Sequence, residues 1–242
     1  TDAKRSANLK RGAMPYYEPG LEELVARGVK EKRLSFTTAI QEGVIKATVI
    51  FIAVGTPQTA TGEADLAYVE SVARSIAQHL SGYRLVVEKS TVPVQTGKWI
   101  HHTIKTYLKK KHPFDVASNP EFLREGTAIQ DFMKPDRIVL GVESARAREL
   151  LTSIYKPLGA PIVVTDINSA ELIKHASNSF LSMKISFINA VAQICERSEA
   201  DVVQVAEGMG LDPRIGRAFL NAGAGFGGFC FPKDLEAFIK IS

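Results

Sequence analysis

The chain has 242 residues, a length that allows one large domain or two small ones. Hydrophobic residues make up 45% of it and charged residues 23%, so the composition excludes an intrinsically disordered protein. Basic residues exceed acidic ones only enough for a net charge of +4, and they are scattered along the sequence, so we expect no nucleic-acid partner.

The sequence also lacks the marks of a membrane or disulfide-rich protein. The longest uninterrupted apolar run is Val49 to Val54, far below the ~20 residues that cross a bilayer. The N-terminal residues are charged and hold no apolar segment typical of a secretory signal, so we expect a cytoplasmic protein. Cys195 and Cys230 are the two cysteines, and their spacing predicts neither a disulfide framework nor a metal site.

Between residues 33 and 166, short β-branched runs alternate with helical patterns, which is the sequence form of repeated βαβ units. The apolar run at 49–54 is typical of a strand in a parallel sheet that is covered on both faces. We therefore predict a doubly wound parallel α/β domain over residues 1–166. Its predicted strands are 34–37, 48–54, 84–88, 114–117, 137–142 and 161–165, and its predicted helices include 21–29, 65–80 and 93–110.

The second part of the chain has a different pattern. No glycine or proline occurs from Ser169 to Glu196, and apolar residues recur around the whole helical wheel. This pattern predicts one long, largely buried helix of ~40 Å, which exceeds the width of a small domain, so we expect part of it to pack against a second subunit. Residues 167–242 are thus predicted to form an all-α domain. Its shorter predicted helices are 201–209, 213–221 and one that begins at Pro232.

Cys230 lies between the glycine-rich run 223–228 and Pro232, and proline is favoured in the first turn of a helix. The cysteine is therefore predicted at a helix N-terminus, where unpaired N–H groups and the nearby Lys233 would favour the nucleophilic thiolate. The alternative is a small hydrophobic residue in a loop. Cys195 lies within the long apolar helix and is predicted to be a core residue.

Gly223, Gly225 and Gly228 match the spacing G-x-G-x-x-G of dinucleotide-binding turns. That turn must follow a strand, whereas the residues before these glycines, 215–221, have a polar helical pattern. We therefore interpret the glycines as the lining of a substrate site, where they let the backbone approach a ligand closely.

Lys174 and Asn178 lie four residues apart in the long helix and so share one of its faces. If that face is buried, both polar groups must be paired, because an unpaired buried polar group is costly. A lysine beside a cysteine could stabilise the alkoxide that forms when a thiolate adds to a carbonyl. The alternative is a solvated polar stripe.

Three loops follow predicted strands, at the edge where open α/β sheets bind ligands. They are residues 55–57, 90–94 and 118–126. The third loop carries two carboxylates, Glu121 and Glu125, which are suited to acid–base chemistry or to holding ribose hydroxyls. Each loop taken alone could instead be a turn or a helix cap.

Taken in order, these segments resemble the nucleotide-sugar 6-dehydrogenases of the UDP-glucose/GDP-mannose dehydrogenase family, over essentially the whole chain. The resemblance implies a Rossmann-like NAD domain at 1–166 and a central domain at 167–242 whose long helix forms a homodimer. It also implies NAD as cofactor and a UDP-sugar as substrate. The matching segments are 17–24, 51–57, 64–69, 90–94, 119–126, 170–174 and 225–234.

The activity implied by the resemblance is the four-electron oxidation of a nucleotide sugar such as UDP-glucose at C6, through a thiohemiacetal and a thioester on a cysteine. One alternative is a β-hydroxyacid dehydrogenase, which shares the NAD domain and the long helix but needs no thiol. Another is a catalytically silent fragment that only folds and dimerises. The catalytic residues carried over by motif position are Cys230 as nucleophile, Lys174 as oxyanion stabiliser, Asp234 and Thr91 as holders of a water, Glu121 for thioester hydrolysis, and Asn178 beside the sugar.

The same motifs imply two sets of binding residues. Those expected to face NAD are Arg5, Thr56, Thr91, Glu125 and Lys233. Those expected to contact the nucleotide sugar are Glu121, Phe122, Leu123, Lys174, Asn178, Arg214, Asn221, Gly225, Phe226 and Gly227.

The chain departs from the family pattern in several places. The glycine-rich turn and the acidic residue that bind the adenosine end of NAD are not found before Tyr17, so the sheet is expected to be incomplete. The family's third domain, which binds the UDP end, is not found either. Phe229 stands where many members carry serine. Lys233 and Asp234 favour UDP-glucose over acetamido sugars, but GDP-mannose dehydrogenases share both, so GDP-mannose stays an alternative.

Overall fold

The computed structural model describes residues 2–59, 61–228 and 230–241, and the side chains of Cys230 and Ile241 lie outside that description. The chain divides into two units. Unit 1 comprises Thr1–Gly55 and Leu66–Glu171, and unit 2 comprises Thr56–Asp65 and Leu172–Ser242. In the described residues, no helix is both long enough and apolar enough to cross a membrane.

Unit 1 is built on a five-stranded sheet whose strands lie side by side in chain order. The first three strands are parallel to one another, and so are the last two. The strands are β1 (Val49–Ile52), β2 (Arg84–Glu88), β3 (Phe114–Ser118), β4 (Ile138–Val142) and β5 (Ile162–Thr165).

Helices connect these strands and cover both faces of the sheet. Side chains alternate along β2, so that Val86 lies in one apolar cluster while Leu85 and Val87 lie in the other. Both clusters are fully buried at these positions, which confirms the predicted α/β class with a sheet covered on two sides. The helices are α1 (Ala3–Lys10), α2 (Leu21–Lys30), α3 (Ile40–Lys46), α4 (Ala67–His79), α5 (Thr96–Tyr107), α6 (Ala128–Met133) and α7 (Ala145–Tyr155), followed by a 3-10 turn (Lys156–Leu158).

One strand pair departs from the predicted parallel sheet. β3 and β4 are antiparallel, with Ala117 opposite Val142 and Ser118 opposite Gly141. A parallel connection needs a crossover that carries the chain back along the whole strand, usually a helix. The helix between these strands, α6, has only six residues and spans ~9 Å, shorter than the five-residue strand it would have to follow.

The strand predicted at 34–37 is wrong, because these residues pair with no strand in the described part of the chain. They serve instead to close helix α2. The N–H groups of Arg33 and Leu34 both donate to the carbonyl of Gly28, at 2.9 and 3.0 Å. The side chain of Leu34 packs on Gly28, where an added Cβ would lie 3.1 Å from the Leu34 Cβ.

Helix α8 (Ile167–Ser198) confirms the predicted long helix and extends it by two residues at each end. Helix α9 (Val202–Gly210) follows, and the Asp201 carboxylate caps it by accepting the Val203 N–H. The core of unit 2 includes Ile188, Ala206 and Leu220. Cys195 is 5% exposed, which confirms it as a core residue. The last described helix is α10 (Cys230–Ile241).

The helix predicted at 213–221 is wrong, since these residues form turns. Gly216 and Phe219 both have positive φ angles, of +68° and +65°, which a right-handed helix does not tolerate. The N–H of Arg214 donates to the Asp212 carboxylate at 2.9 Å, a local bond that competes with helical pairing.

The first turns of α8 dock closely on the rest of unit 1. The Glu171 carboxylate accepts the Gln95 N–H at 2.6 Å and the Gly97 N–H at 2.7 Å, and so caps α5 from a distant part of the chain. Burial raises the pKa of Glu171 to about 7. A Cβ on Gly97 would lie 2.5 Å from Ile167 Cγ2, so only glycine permits this approach.

Glu88, at the end of β2, is a second buried carboxyl in unit 1. Its Oε1 accepts the Ser90 N–H at 2.6 Å, while its Oε2 has no hydrogen-bond partner among the described residues. Burial raises its pKa to about 8, so the group is mainly protonated at neutral pH.

Replacement of Glu88 by glutamine should therefore change how stability depends on pH. The folded pKa lies above the unfolded value, so the contribution of neutral Glu88 is complete below pH ~4.5 and is lost as pH rises through about 8. Denaturant unfolding from pH 5 to 9 should show a free energy of unfolding that falls by up to ~1.4 kcal/mol per pH unit for this group. Glu88→Gln should remove that part of the fall, and the exposed Glu23→Gln should not. A wild-type slope retained in Glu88→Gln would contradict the assignment.

Candidate active site

The carboxyl ends of the parallel strands β1, β2 and β3 meet at one edge of the sheet in unit 1. The Ser90 hydroxyl accepts the Val54 N–H at 3.0 Å and donates to the Val54 carbonyl at 2.8 Å, which joins the ends of β1 and β2. The Lys89 ammonium donates to the carbonyl and side-chain oxygens of Asn119, at 3.1 and 3.2 Å, which joins the ends of β2 and β3. The expected common edge is thus confirmed within unit 1.

Asn119 begins the loop that follows β3, and its side chain is almost fully buried. Its amide donates to the Val139 carbonyl at 2.9 Å, and its oxygen accepts the Tyr155 hydroxyl. Its backbone N–H donates to the Glu88 carbonyl at 2.8 Å. The start of the loop is therefore fixed by contacts to several strands and to α7.

The rest of this loop is more open. Glu121 is half-buried, and its Oε2 accepts the Leu123 N–H at 2.6 Å, so its position follows the loop backbone. The Phe122 ring lies 3.9 Å from the guanidinium carbon of Arg137, a cation–π contact. Leu123 and Glu125 are exposed. Two carboxylates thus lie in the loop that follows β3.

Two further residues of unit 1 belong to the expected NAD set. Thr91 is half-buried and lies three residues beyond the end of β2, the middle one of the three parallel strands. Arg5 is exposed on α1, with its guanidinium carbon 6.0 Å from the centre of the Tyr16 ring. It borders an open cleft of about 430 Å³ that is also lined by Asn8 and Tyr16. A cation, an amide and a hydroxyl suit the polar parts of a dinucleotide.

Unit 2 holds a buried polar cluster where α8 meets α10. Asp234 accepts the Asn178 amide at 2.6 Å through Oδ2 and the Lys233 ammonium at 2.6 Å through Oδ1. Lys174, one turn before Asn178, is 5% exposed. All four side chains are buried, so the alternative of a solvated polar stripe is wrong. Thr56, which also belongs to unit 2, is buried as well.

Cys230 is the first residue of α10, which confirms its predicted place at a helix N-terminus. It lies four positions before Asp234 in the same helix. Its side chain lies outside the description, as does the whole of Phe229. Pro232 falls in the first turn rather than at the first position.

The glycine-rich loop before α10 follows turns and not a strand, in the described residues, as expected for a segment that is not a dinucleotide turn. The Gly223 N–H donates to the Asn189 side chain of α8 at 2.8 Å. Gly225 and Gly228 have φ angles of +117° and +78° with open space where a Cβ would lie. The Phe226 ring packs edge-on against Phe231, with centroids 6.1 Å apart.

The remaining expected substrate residues lie on the surface of unit 2. The Arg214 side chain is 87% exposed and pairs with Asp212 at 2.6 Å. Asn221, Gly225 and Gly227 are exposed as well. None of these residues takes part in the described hydrogen bonds of the Asp234 cluster.

Sequence reasoning assigned no role to Glu171, Asn189 or Asn119, all of which position site elements. Glu171 carried a signal, since it stands between the apolar residues Ala170 and Leu172 and a buried glutamate is rare unless it is paired. Their partners lie between 20 and 76 residues away, beyond the reach of any local pattern.

Comparisons with known proteins agree with this architecture. Residues 1–159 match the NAD binding domain of the UDP-glucose/GDP-mannose dehydrogenase family, and residues 168–242 match its central domain. The chain is similar to the UDP-glucose 6-dehydrogenase TuaD of Bacillus subtilis (strain 168), with 51% identity over 100% of this chain and 52% of the relative.

Two solved structures are similar over almost the whole chain. A UDP-glucose dehydrogenase from the archaeon Pyrobaculum islandicum has a TM-score of 0.96 and 45% identity, over 99% of this chain and 56% of that one. A GDP-mannose dehydrogenase from Pseudomonas aeruginosa has a TM-score of 0.85 and 35% identity, over 99% of this chain and 57% of that one. The chain thus spans about half the length of these relatives. By its sequence and by its α/β dehydrogenase fold, it belongs to the UDP-glucose/GDP-mannose dehydrogenase family.

Proposed function

We propose that this protein oxidises the C6 primary alcohol of UDP-glucose to the carboxylate of UDP-glucuronate, with Cys230 as the covalent nucleophile. The observation that carries this proposal is the buried cluster in which Lys233 and Asp234, on the helix that Cys230 begins, are bonded together and to Asn178 of α8. Buried charges are retained only where they are paired, and this cluster places a paired ammonium and carboxylate within the first five residues of α10.

UDP-glucose is proposed as the substrate because the similarity favours it over GDP-mannose. The structure of a UDP-glucose dehydrogenase is 45% identical to this chain, whereas that of a GDP-mannose dehydrogenase is 35% identical. The similar relative from Bacillus subtilis also carries the name UDP-glucose 6-dehydrogenase.

The residues 1–166 are proposed to act as the NAD domain and 167–242 as the helical substrate domain. When bound, NAD supplies the hydride acceptor for both oxidation steps. The carboxylate of Glu125 can accept hydrogen bonds from the ribose hydroxyls of NAD, and the cations of Arg5 and Lys233 can pair with the phosphates of NAD. The residues proposed to hold it are Arg5, Thr56, Thr91, Glu125 and Lys233.

The first stage produces an aldehyde. The C6 hydroxyl gives its proton to a water held by Asp234 and Thr91, while the C6–H bond breaks and its electron pair leaves as hydride. The Cys230 thiolate then adds to the aldehyde carbon, so that a C–S bond forms and the carbonyl π electrons move to oxygen. The Lys174 ammonium stabilises that oxyanion, an effect typically worth ~3 kcal/mol per donor. The resulting thiohemiacetal keeps the aldehyde bound.

The second stage releases the acid. Loss of the remaining C6 hydride restores the carbonyl and gives a thioester on Cys230. Glu121 takes a proton from a water that attacks this carbonyl, and the C–S bond breaks to return the thiolate. One alcohol and one water thus give one carboxylate, two hydrides and three protons. Asn178 and the loop 221–227 are proposed to orient the sugar, together with Phe122, Leu123 and Arg214.

The complete gene product should release two NADH per UDP-glucose. Cys230→Ser should lower the steady rate at least ~100-fold, because a serine would form an oxygen ester, which water hydrolyses more slowly than a thioester. Absorbance at the NADH band and chromatography of the sugar products measure both. Cys195→Ala is the matched control and should keep the stoichiometry, since Cys195 is a core residue. One NADH with free aldehyde, or activity that survives thiol alkylation, would refute the proposal and favour a β-hydroxyacid type of chemistry.

We further propose that α8 forms a homodimer. Phe180, Met183, Phe187 and Ile194 recur at helical spacing along α8, and each is about half exposed or more. A contiguous apolar stripe of this kind is unusual on a monomer surface and typical of a subunit interface.

Phe187→Glu should therefore shift the protein from dimer to monomer, because the charge would be buried without a partner. Sedimentation velocity at micromolar concentration measures the mass. Gln193→Glu adds the same charge to an exposed position away from the stripe and should leave the dimer intact. A wild-type monomer, or a Phe187→Glu dimer as tight as that of the wild type, would contradict the proposal.

A further inference from the structure

The loop 119–127, which carries Glu121 and Glu125, is held differently at its two ends. Its first end is fixed by the buried side chain of Asn119, through bonds to Lys89, Val139 and Tyr155. The residues from Leu123 to Gly126 are all exposed, so packing alone does not hold them in one place. The far end of the loop needs another anchor.

Most bonds at the far end are local. The Arg124 backbone N–H donates to Asp131 at 2.9 Å, and its guanidinium pairs with the same carboxylate at 2.7 Å. These hydrogen bonds hold the pKa of Asp131 at about 2. The Thr127 hydroxyl also donates to Asp131, at 3.0 Å. Because all of these partners lie in the loop or in α6, they shape the segment without attaching it to the rest of unit 1.

Glu18 makes the attachment. Its Oε2 accepts the Gly126 N–H at 3.0 Å, and its Oε1 accepts the Ala128 N–H at 2.8 Å. It is half-buried and lies 108 and 110 residues from these partners. Both of its oxygens are thus used on the two residues that flank Thr127, directly after Glu125.

The position of Glu18 is itself well defined. Its carbonyl accepts the Leu21 N–H at 3.1 Å, at the start of α2. Gly20, in between, has a φ of +83°, which a residue with a side chain rarely adopts. Gly126, whose N–H donates to this carboxylate, also has a φ of +83°. One left-handed residue thus lies two positions after Glu18, and another carries one of the two N–H groups that Glu18 binds.

We infer that Glu18 is a positioning residue for the loop that carries Glu121 and Glu125, an inference that rests on the function proposed above for those two carboxylates. Glu121 accepts a backbone N–H of its own loop, so any shift of the loop shifts Glu121 with it. A misplacement of ~1 Å in a reacting group can lower a rate by ~100-fold. A carboxylate suits the task because both of its oxygens accept hydrogen bonds. The amide of a glutamine has one acceptor oxygen, and its NH2 group would face one of the two backbone N–H donors without forming a bond.

The kinetic test compares Glu18→Gln and Glu18→Ala in the complete gene product. Rapid mixing with UDP-glucose and NAD separates the initial burst of NADH, which precedes thioester hydrolysis, from the steady rate, which includes it. We expect both variants to keep a burst of two NADH per site, to lower the steady rate at least ~10-fold and to accumulate the thioester adduct in intact-mass spectra. Glu22→Gln removes the same charge from an exposed position on α2 and should behave as the wild type.

Two kinetic results would overturn the inference. One is a steady rate of Glu18→Ala within twofold of that of Glu22→Gln. The other is an equal loss of burst rate and steady rate at saturating NAD and UDP-glucose, where weaker binding through Glu125, Phe122 or Leu123 no longer limits the burst, because that result indicates a general effect on folding and not an effect on the position of Glu121.

A second readout does not depend on the reaction. Hydrogen exchange should show faster exchange at Gly126 and Ala128 in Glu18→Gln than in the wild type, at least ~10-fold, with β2 and β3 unchanged. Unchanged exchange at these two amides would overturn the inference. One NADH per sugar in the wild type would refute the proposed function instead, and the exchange data would still decide whether Glu18 holds the loop.

Discussion

The carboxylate of Glu171 is the constraint on which the architecture of unit 1 depends. It accepts two N–H groups at the start of α5 from the first turns of α8, and so fixes these turns, which belong to unit 1, against α5. Gly97 and Gly141 make the contact close enough, since a Cβ on either would lie within 2.6 Å of an α8 side chain.

The polar network of unit 2 follows a different physical logic. Lys233, Asp234 and Asn178 are buried together. The two oxygens of the Asp234 carboxylate accept one hydrogen bond each, from the Lys233 ammonium and from the Asn178 amide. A buried carboxylate with a lysine and an amide is tolerated, but an apolar replacement of similar volume would be about as stable. Stability alone therefore gives no reason for its presence near the start of α10, whereas the function proposed for these residues would give one.

Much of the fold could be predicted from local pattern. The boundaries of β2 at 84–88 match the prediction, because an apolar run of strand length carries its own signal. Helix α8 was equally predictable from a long stretch without glycine or proline. The strand at 34–37 and the helix at 213–221 failed because glycines and side-chain caps redirected the backbone there.

The sequence by itself therefore determined the family, the α/β class, the long helix α8 and the place of Cys230 at a helix start, since these depend on motifs and on short-range periodicity. Only the tertiary structure decided that β4 runs against β3, and that Glu171 and Glu18 each cap distant N–H groups. The physical reason is range. Secondary-structure propensity depends on residues a few positions apart in the sequence. These hydrogen bonds join groups 74 and 110 residues apart, which come together only when the sheet has formed.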